Sequence, residues 1–532
     1  MHAGKLTDRC PYFPQRFGQK LSVVESLSHL LGADADPVAA GYHLRQLAEG
    51  PPDTGIVLLA QLAAADSILE QSDPAILGAI LRVMHNSIAK SIQDQPQQTI
   101  EKLDHTVIRS VAERLPEAAT NRHLLLHLLA IMRSAESLKA LVAILIQRPP
   151  QDWMNAGLVL SPLMQRNDWP IEAFFPECLA CLPHPSLAAS LLDLANYLTR
   201  SGRVDGHLAA DHLETLNHLL GSVATRLGHF EENPRTLGND VEEVQKRLSE
   251  AVALAVSLCD AVALIGDESS IGKLNQAVGL RHRRVQCEAA GALAKLGDEE
   301  GRKRLIELAG DPAARLRAIA YADELGWGDE IDESNRSDAA TAEAELALWL
   351  TQPHQMGVPP THVEFIETRR LMWPSFNDPV DVHLVRFEYS MGANVYSNIG
   401  MTGPSVYTMS CDLADMPVDD IYAIYAGWQA EHPDIFTVAA DSLNEAQHRV
   451  MDVFGQHLQH LGYESIRPEL LGLFLDERAG VFRGEREGTQ CIIVTDGLET
   501  IDQPTAGRLR PLTASDAFHL YKGRKMLRTF NS

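Results

Sequence analysis

The chain of 532 residues has few cysteines, no long apolar run and no excess of positive charge. Seven cysteines spread over this length do not form the dense framework of a disulfide-stabilised secreted protein. No apolar run approaches the roughly 20 residues of a transmembrane helix. The first residues, MHAGKLTDRCPYFPQRF, lack the apolar core that a signal peptide needs. We therefore expect a cytoplasmic protein.

Basic residues are outnumbered, with 46 Lys and Arg against 71 Asp and Glu, and the formal net charge is −25. Nucleic-acid binding needs clustered Lys and Arg to neutralise phosphates, and anionic membranes also attract basic surfaces. The charge balance therefore argues against non-specific binding to nucleic acids and to anionic membranes. A content of 45% hydrophobic and 22% charged residues is ordinary for globular domains. We expect a protein or peptide partner, no nucleic acid and no membrane.

The sequence repeats itself between residues 260 and 329. A Gly-Asp pair occurs at 266–267, 297–298 and 328–329, with an interval of 31 residues each time. A fixed period of this size is typical of stacked supersecondary units, which bury their apolar faces against one another. We expect each copy to be two helices. The positions expected to lie buried between layers are Ala289, Leu305, Leu308 and Ala320.

The copies resemble HEAT repeats, in particular the short type found in bilin-lyase-like proteins. That pattern runs Asp-Pro, then Val-Arg, then an Ala-rich helix and Leu-Gly-Asp. Here it is matched by Asp311, Pro312, Leu316, Arg317 and Ala318. The resemblance covers about residues 260–328 and implies an α-solenoid that presents a binding surface. It implies no particular reaction, because function is argued from sites and not from folds.

Three regions follow from the change of pattern along the chain. Residues 1–250 show apolar residues at helical spacing without a fixed period, which predicts an irregular α-helical solenoid region, or alternatively a separate helical domain. Residues 251–352 are predicted to be HEAT-like repeats closed by a capping helix, with Glu343 and Glu345 exposed. Glycine and prolines at 357–360 mark a predicted boundary.

Residues 357–532 mix strand and helix signals and are predicted to form an α+β domain that resembles no family. Segments 381–390 and 490–497 read as strands. Helices are expected after Pro417, from Ser442 with a capping box to Glu445, and in residues 515–529. The Gly-rich stretch 396–405 is expected to be a turn between strands.

The segment Arg281-His282-Arg283-Arg284 is the first candidate binding site. It opens a helix, where positive charge opposes the macrodipole, so that Arg281, Arg283 and Arg284 would suit an acidic partner or an anion. The alternative is that the acidic residues 298–300 neutralise them locally.

The second candidate is a pocket in the C-terminal domain. Aromatic and polar residues cluster in 396–407 and 422–432, and ligand sites combine an apolar cleft with a few polar groups. We expect Asn398, Trp428 and His432 to share a cleft, with Trp428 and His432 on one helix face. The alternative is that the aromatic residues of this helix are its core stripe.

Two further motifs favour ordinary structural roles. Cys178-x-x-Cys181 with His184 has no second ligand pair at zinc-site spacing, so we expect buried core cysteines. No HExxH pattern accompanies the histidines of the helix after Ser442, so no zincin chemistry is indicated. We assign no catalytic, cofactor-binding or metal-binding residue. The histidines in question are His448, His457 and His460.

These observations favour an interaction or scaffold protein built on HEAT-like repeats with an appended α+β domain. One alternative, from the resemblance, is a bilin-lyase-like or chaperone-like factor that acts on a cofactor-bearing protein. Another alternative is an enzyme with its site in the C-terminal domain, because catalytic groups need no sequence adjacency.

Overall fold

The computed structural model describes residues 22–31, 37–65, 72–233, 240–352, 355–373, 375–392, 394–408, 413–507 and 512–531. The chain divides into two compact units, Met1–Arg302 and Lys303–Ser532. The first 21 residues of the predicted region 1–250 lie outside the described residues.

Every regular element described in the first unit is helical, as predicted. The α-helices are α1 (Val23–Leu30), α2 (Pro37–Ala48), α3 (Thr54–Ala64), α4 (Pro74–Asp94), α5 (Pro96–Glu101), α6 (His105–Arg114), α7 (His123–Met132), α8 (Ala135–Gln147), α9 (Trp153–Gln165), α10 (Pro185–Arg200), α11 (Leu213–Glu232), α12 (Val241–Ile265), α13 (Ile271–Val278) and α14 (Arg283–Lys295). Helix α15 (Glu299–Leu308) crosses the division between the units.

The helices of the first unit pack in two rows. Helices contact each other within pairs, as α11 contacts α12 and α13 contacts α14. Many helices two positions apart also contact each other, so that α10, α12 and α14 form one row while α11 and α13 belong to the other. One apolar core runs between the rows, from Leu27 to Leu293.

The Gly-Asp pairs mark the junctions between helices. Gly266 and Gly297 adopt left-handed φ angles of 79° and 82°, which end a helix at no steric cost. The side chain of Asp298 then accepts hydrogen bonds from the amides of Glu300 and Gly301 and so starts α15. In the third copy the left-handed residue is Gly326 instead of Gly328, so the structural period shortens there.

Burial of the repeat positions follows the prediction with one exception. Ala289, Leu305 and Leu308 are buried. Ala320 is exposed, and the expectation for it was wrong. Its helix buries a different face, which includes Ala318.

Helix α12 is the one helix in the described part of the chain that is long and apolar enough to cross a membrane. Half of its most apolar stretch is buried inside the protein. It packs against α10, α11 and α14, which is the position of a core helix. A cytoplasmic location stays a prediction.

The second unit combines helices with two antiparallel sheets, as the prediction of an α+β region required. Its helices are α16 (Arg315–Glu324), α17 (Asp338–Leu350), α18 (Val418–Glu431), α19 (Pro433–Phe436), α20 (Glu445–His460) and α21 (Ala514–Phe530). Sheet A has the order β1 (His362–Leu371), β2 (Val380–Met391), β3 (Asn394–Thr402), β4 (Tyr407–Thr408). Sheet B has the order β5 (Thr437–Ala439), β6 (Glu464–Phe474), β7 (Glu477–Arg486), β8 (Thr489–Thr495), β9 (Thr500–Pro504).

These elements form five layers. Helix α17 covers one face of sheet A, and α18 covers the other. Helices α18 and α21 then pack on one face of sheet B, whose opposite face carries α20. Helix α18 therefore contributes to the cores of both sheets.

Helix α17 does not have the role that the sequence suggested. It was expected to cap the repeats, with a boundary at 357–360, but its Leu346 and Leu350 share a core with Val385 and Phe387 of β2. The predicted boundary therefore falls inside the second unit. The apolar face of α17 could serve either partner, so its sequence did not distinguish them.

Glu343 was expected to be exposed on this helix. It instead forms an ion pair with the buried Arg315. Its carboxylate accepts a hydrogen bond from Arg315 at 3.0 Å and another from the backbone amide of Phe365 in β1 at 3.1 Å. Arg315 is 6% exposed. Burial also raises the pKa of Glu345. Glu343 thus ties α16, α17 and sheet A together.

A second buried polar link joins the two sheets through α18. Gln429 is fully buried, donates to the carbonyl of Met372 at 3.2 Å and accepts from the amide of Leu475 at 2.9 Å. Met372 follows β1, and Leu475 follows β6. Because a buried amide must be paired, Gln429 fixes the register between the sheets.

Two local expectations in this unit were wrong. The stretch 396–405 is mostly strand β3, and its Gly400 permits close packing: a Cβ there would lie 2.5 Å from Leu346. The capping box before α20 is formed by Asn444 and Gln447 in place of Ser442 and Glu445.

Candidate binding groove

Helices α11 and α13 lie side by side and run in the same direction. Lys273 lies over Gly221, and Gln276 Nε2 donates to Thr225 Oγ1 at 2.9 Å. Further along, Leu280 lies beside Gly228. The contacts advance together along both helices, which defines their direction and leaves a groove between them.

The groove has a volume of about 910 Å³ and is lined by polar side chains. Most of its lining recurs every three or four residues along α11, so that one helix face supplies it. It is lined by Glu214, Asn217, His218, Gly221, Ser222, Thr225, Arg226 and His229 of α11 and by Lys273 and Gln276 of α13.

Gly221 makes room for Lys273 in the middle of this groove. A Cβ at position 221 would lie 3.0 Å from Lys273 Nζ and 3.1 Å from its Cδ. The lysine stem therefore lies directly on the backbone of α11. Lys273 has no ion pair or hydrogen bond with the residues that the structure describes. Its charge is left facing the groove.

Arg226 is the second cation of the groove and also borders a neighbouring cavity of about 430 Å³. That cavity contains Glu250. Burial raises the pKa of Glu250, and the positive charge of Arg226 offsets part of this increase. Glu214 is the only carboxylate that lines the groove within the described residues. The groove is thus locally cationic on a chain with a net charge of −25.

The predicted anion site at the start of α14 is occupied by a side chain of the protein. The carboxylate of Glu231 accepts hydrogen bonds from the backbone amides of Arg281, at 2.7 and 2.9 Å, and of His282, at 3.1 Å. Asp298, which was expected to neutralise the cluster, caps α15 instead. Glu231 of α11, which sequence distance concealed, therefore accepts from the backbone donors at this helix start.

The other two arginines of this cluster have different surroundings. Arg283 Nη1 donates to Gln286 Oε1 at 2.9 Å within α14. Burial raises the pKa of Asp193, and Arg284 acts against this shift. A binding role for Arg281, Arg283 and Arg284 stays a prediction.

The structure brings together two of the three residues predicted to form the C-terminal pocket. Trp428 and His432 have ring centroids 4.9 Å apart, and His432 Nδ1 donates to the carbonyl of Trp428 at 2.8 Å. Asn398 pairs in register with Phe387, on the face of sheet A that α17 covers. Trp428 packs on the opposite face.

Trp428 belongs to an aromatic cluster that includes Tyr407, Tyr425 and Phe436, at centroid distances of 5.4 to 6.3 Å. Tyr425 is fully buried. This is the arrangement of the alternative interpretation, a core stripe. A binding role for His432 stays a prediction.

The remaining candidates occupy structural positions. Cys178 and Cys181 are fully buried, as expected for core cysteines, and burial raises the pKa of Cys181 to about 11. His448 and His460 are exposed on α20. No group of three or more His, Cys, Asp or Glu side chains suited to a metal ion occurs in the part of the chain that the structure describes.

The α11–α13 groove was not predicted from the sequence. One signal was present: Gly221 and Gly228 lie inside the helical pattern of α11, where a glycine often has a packing or functional reason. The partner helix α13 lies about 50 residues further along, so the pattern of α11 could not show what it faces.

The fold and the groove define a protein with an all-helical unit followed by a unit of helices and antiparallel sheets. No family model matches the chain, and no curated protein matches it. A solved structure that does match is described as lipid–protein interactions in lipovitellin. The match covers 84% of this chain and 49% of that one, at 12% identity and a TM-score of 0.27. The chain thus spans about half of that protein, and a similarity of this level carries no argument.

Proposed function

We propose that this chain is an interaction protein whose first unit is a HEAT-like α-solenoid and whose α11–α13 groove holds a segment of a partner protein. The observation that carries this proposal is the groove itself. Two parallel helices from successive helix pairs present polar, exposed side chains along one continuous channel.

The packing in two rows supports the solenoid part of the proposal. In repeat proteins each unit contacts only its neighbours, and equivalent helices of successive units lie in parallel. The relation between α11 and α13 has this form. Such stacks create extended surfaces that bind other proteins.

The size of the groove fits a short peptide segment. From Glu214 to His229 it follows α11 for about 22 Å at a rise of 1.5 Å per residue. An extended chain rises about 3.4 Å per residue, so about seven residues would fill this length. The second unit, in this proposal, is an appended domain.

The experiment places a photo-crosslinking amino acid at Ser222, which lines the groove, in the full chain within its native cells. The matched control carries it at Thr215, which is exposed on the same helix outside the groove. We expect a discrete crosslinked protein from position 222 and none from position 215. Equal crosslinking from both positions would contradict the proposal.

A pair of glycine variants then tests the shape of the groove. In Gly221→Ala the new methyl lies 3.0–3.2 Å from the Lys273 side chain, which must shift by a few tenths of an ångström, whereas in Gly228→Ala the new methyl meets Leu280 at an ordinary 3.7 Å. Both changes favour the helix by up to about 1 kcal/mol. We expect Gly221→Ala alone to weaken the crosslink from Ser222. If both variants behave alike, the position of Lys273 beside Gly221 does not contribute to binding.

A further inference from the structure

We infer that the segment held in the α11–α13 groove is acidic. This inference rests on the proposed function and names the chemistry of the partner. It is carried by the charges inside the groove.

Lys273 is an exposed cation of the groove without a counter-ion among the described residues. Its stem lies beside Gly221, and a Cβ there would stand 3.2 Å from Lys273 Cε. A ligand carboxylate would supply the missing partner and gain a charge-assisted hydrogen bond.

The second cation of the groove is Arg226. It lies five residues after Gly221 on α11, about 7.5 Å further along the helix axis and about 140° around it. It also borders the neighbouring cavity that contains Glu250. Arg226 therefore adds to the positive charge of Lys273 from the edge of the groove.

The surrounding charge makes this groove selective. A chain with a net charge of −25 repels acidic segments over most of its surface. The groove, with Arg226 and Lys273 against Glu214, is a place where such a segment is attracted. Two cations are too few for nucleic acid, whose binding depends on many neutralised phosphates. The observations thus favour an acidic peptide.

The test uses the full chain and fluorescent seven-residue peptides, blocked at both ends, in binding measured by anisotropy. One peptide carries Glu at positions 3 and 5, the second Gln at both, and the third Lys at both. Exposed ion pairs are worth about 0.2–1 kcal/mol each, so we expect the Glu peptide to bind on the order of tenfold more tightly than the Gln peptide. Added salt should remove most of this preference.

Lys273→Gln and Lys139→Gln form the matched pair of variants. Lys139 is an exposed lysine of α8 in the same unit, outside the groove. We expect the first variant to weaken the Glu peptide about twofold to fivefold and to leave the Gln peptide unchanged. The second variant should change neither.

The outcomes separate the two proposals. If Glu and Gln peptides bind equally and Ser222 still crosslinks its partner, the acidic chemistry is wrong and the groove stands. If neither peptide binds and Ser222 gives no crosslink, the proposed function fails as well. A single-stranded RNA of seven nucleotides that binds more tightly than the Glu peptide would overturn the inference in favour of nucleic acid.

Discussion

Replacing Arg315 with alanine should destabilise the second unit strongly, because this side chain connects three elements. Its guanidinium donates to the carbonyl of Ala340 at 2.6 Å, to Glu343 Oε2 at 3.0 Å and to the carbonyl of Ala309 at 3.2 Å. Glu343 in turn accepts from the amide of Phe365. Alanine removes the guanidinium donors, and the carbonyl and carboxylate acceptors stay inside the protein without this partner.

The expected magnitude follows from the burial of the pair. Arg315 has a side-chain exposure of 7% and Glu343 of 21%. Removing one partner of a buried pair leaves an uncompensated charge and typically costs about 3–5 kcal/mol. For a unit of this size each kcal/mol lowers the melting temperature by about 2–4 °C, so we expect a decrease of roughly 6–20 °C.

Arg304→Ala is the matched control. Arg304 pairs with Glu307 at 2.6 Å, but the two side chains are 32% and 63% exposed, so its loss should cost less than about 1 kcal/mol. The assay is hydrogen exchange of β1 and β2 in the full chain at increasing urea. A cost for Arg315→Ala equal to that of Arg304→Ala would refute the packing of α16 and α17 described above.

Two other predictions concern buried polar groups. His207 is buried, donates to Asn196 Oδ1 and accepts from the amide of Ala209, and burial lowers its pKa to about 4. As the pH falls, the unfolded chain therefore binds a proton at this histidine before the folded chain does. The stability that the neutral ring contributes is fully present above pH 6.5 and decreases by roughly 3 kcal/mol as the pH falls to about 4. Urea unfolding at pH 7 and pH 4.5 should show a smaller decrease for His207→Gln than for the unchanged protein, and an equal decrease would contradict the assignment. Gln429→Leu leaves two buried backbone groups unpaired and should cost at least about 2 kcal/mol in the same assay, whereas an unchanged stability would show that this link between the sheets is not formed.

Local signals in the sequence predicted elements better than they predicted neighbours. The Gly-Asp pairs identified the helix junctions because Gly266 and Gly297 end a helix and the following Asp caps the next turn. A high content of β-branched and aromatic residues identified β2, and the pattern of a buried strand ending in a turn identified β8. These signals depend on residues within one or two turns, which the sequence contains.

The errors concern which surfaces meet. The apolar face of α17 fits a repeat or a sheet equally well, and only the fold assigned it to sheet A. Gly400 was interpreted as a turn, since the approach of Leu346 is invisible in sequence. The groove required α11 and α13 to be placed side by side, and that depends on their packing against the opposite row, where α11 contacts α12 and α13 contacts α14.

The most direct test of the central claim is hydrogen exchange of the full chain with and without the Glu peptide. The proposal predicts protection on binding in Leu213–Glu232 and Ile271–Val278, the two helices of the groove, and weaker protection in Lys273→Gln at the same peptide concentration. Protection confined to other parts of the first unit, or to the second unit, would show that the α11–α13 groove does not hold the peptide.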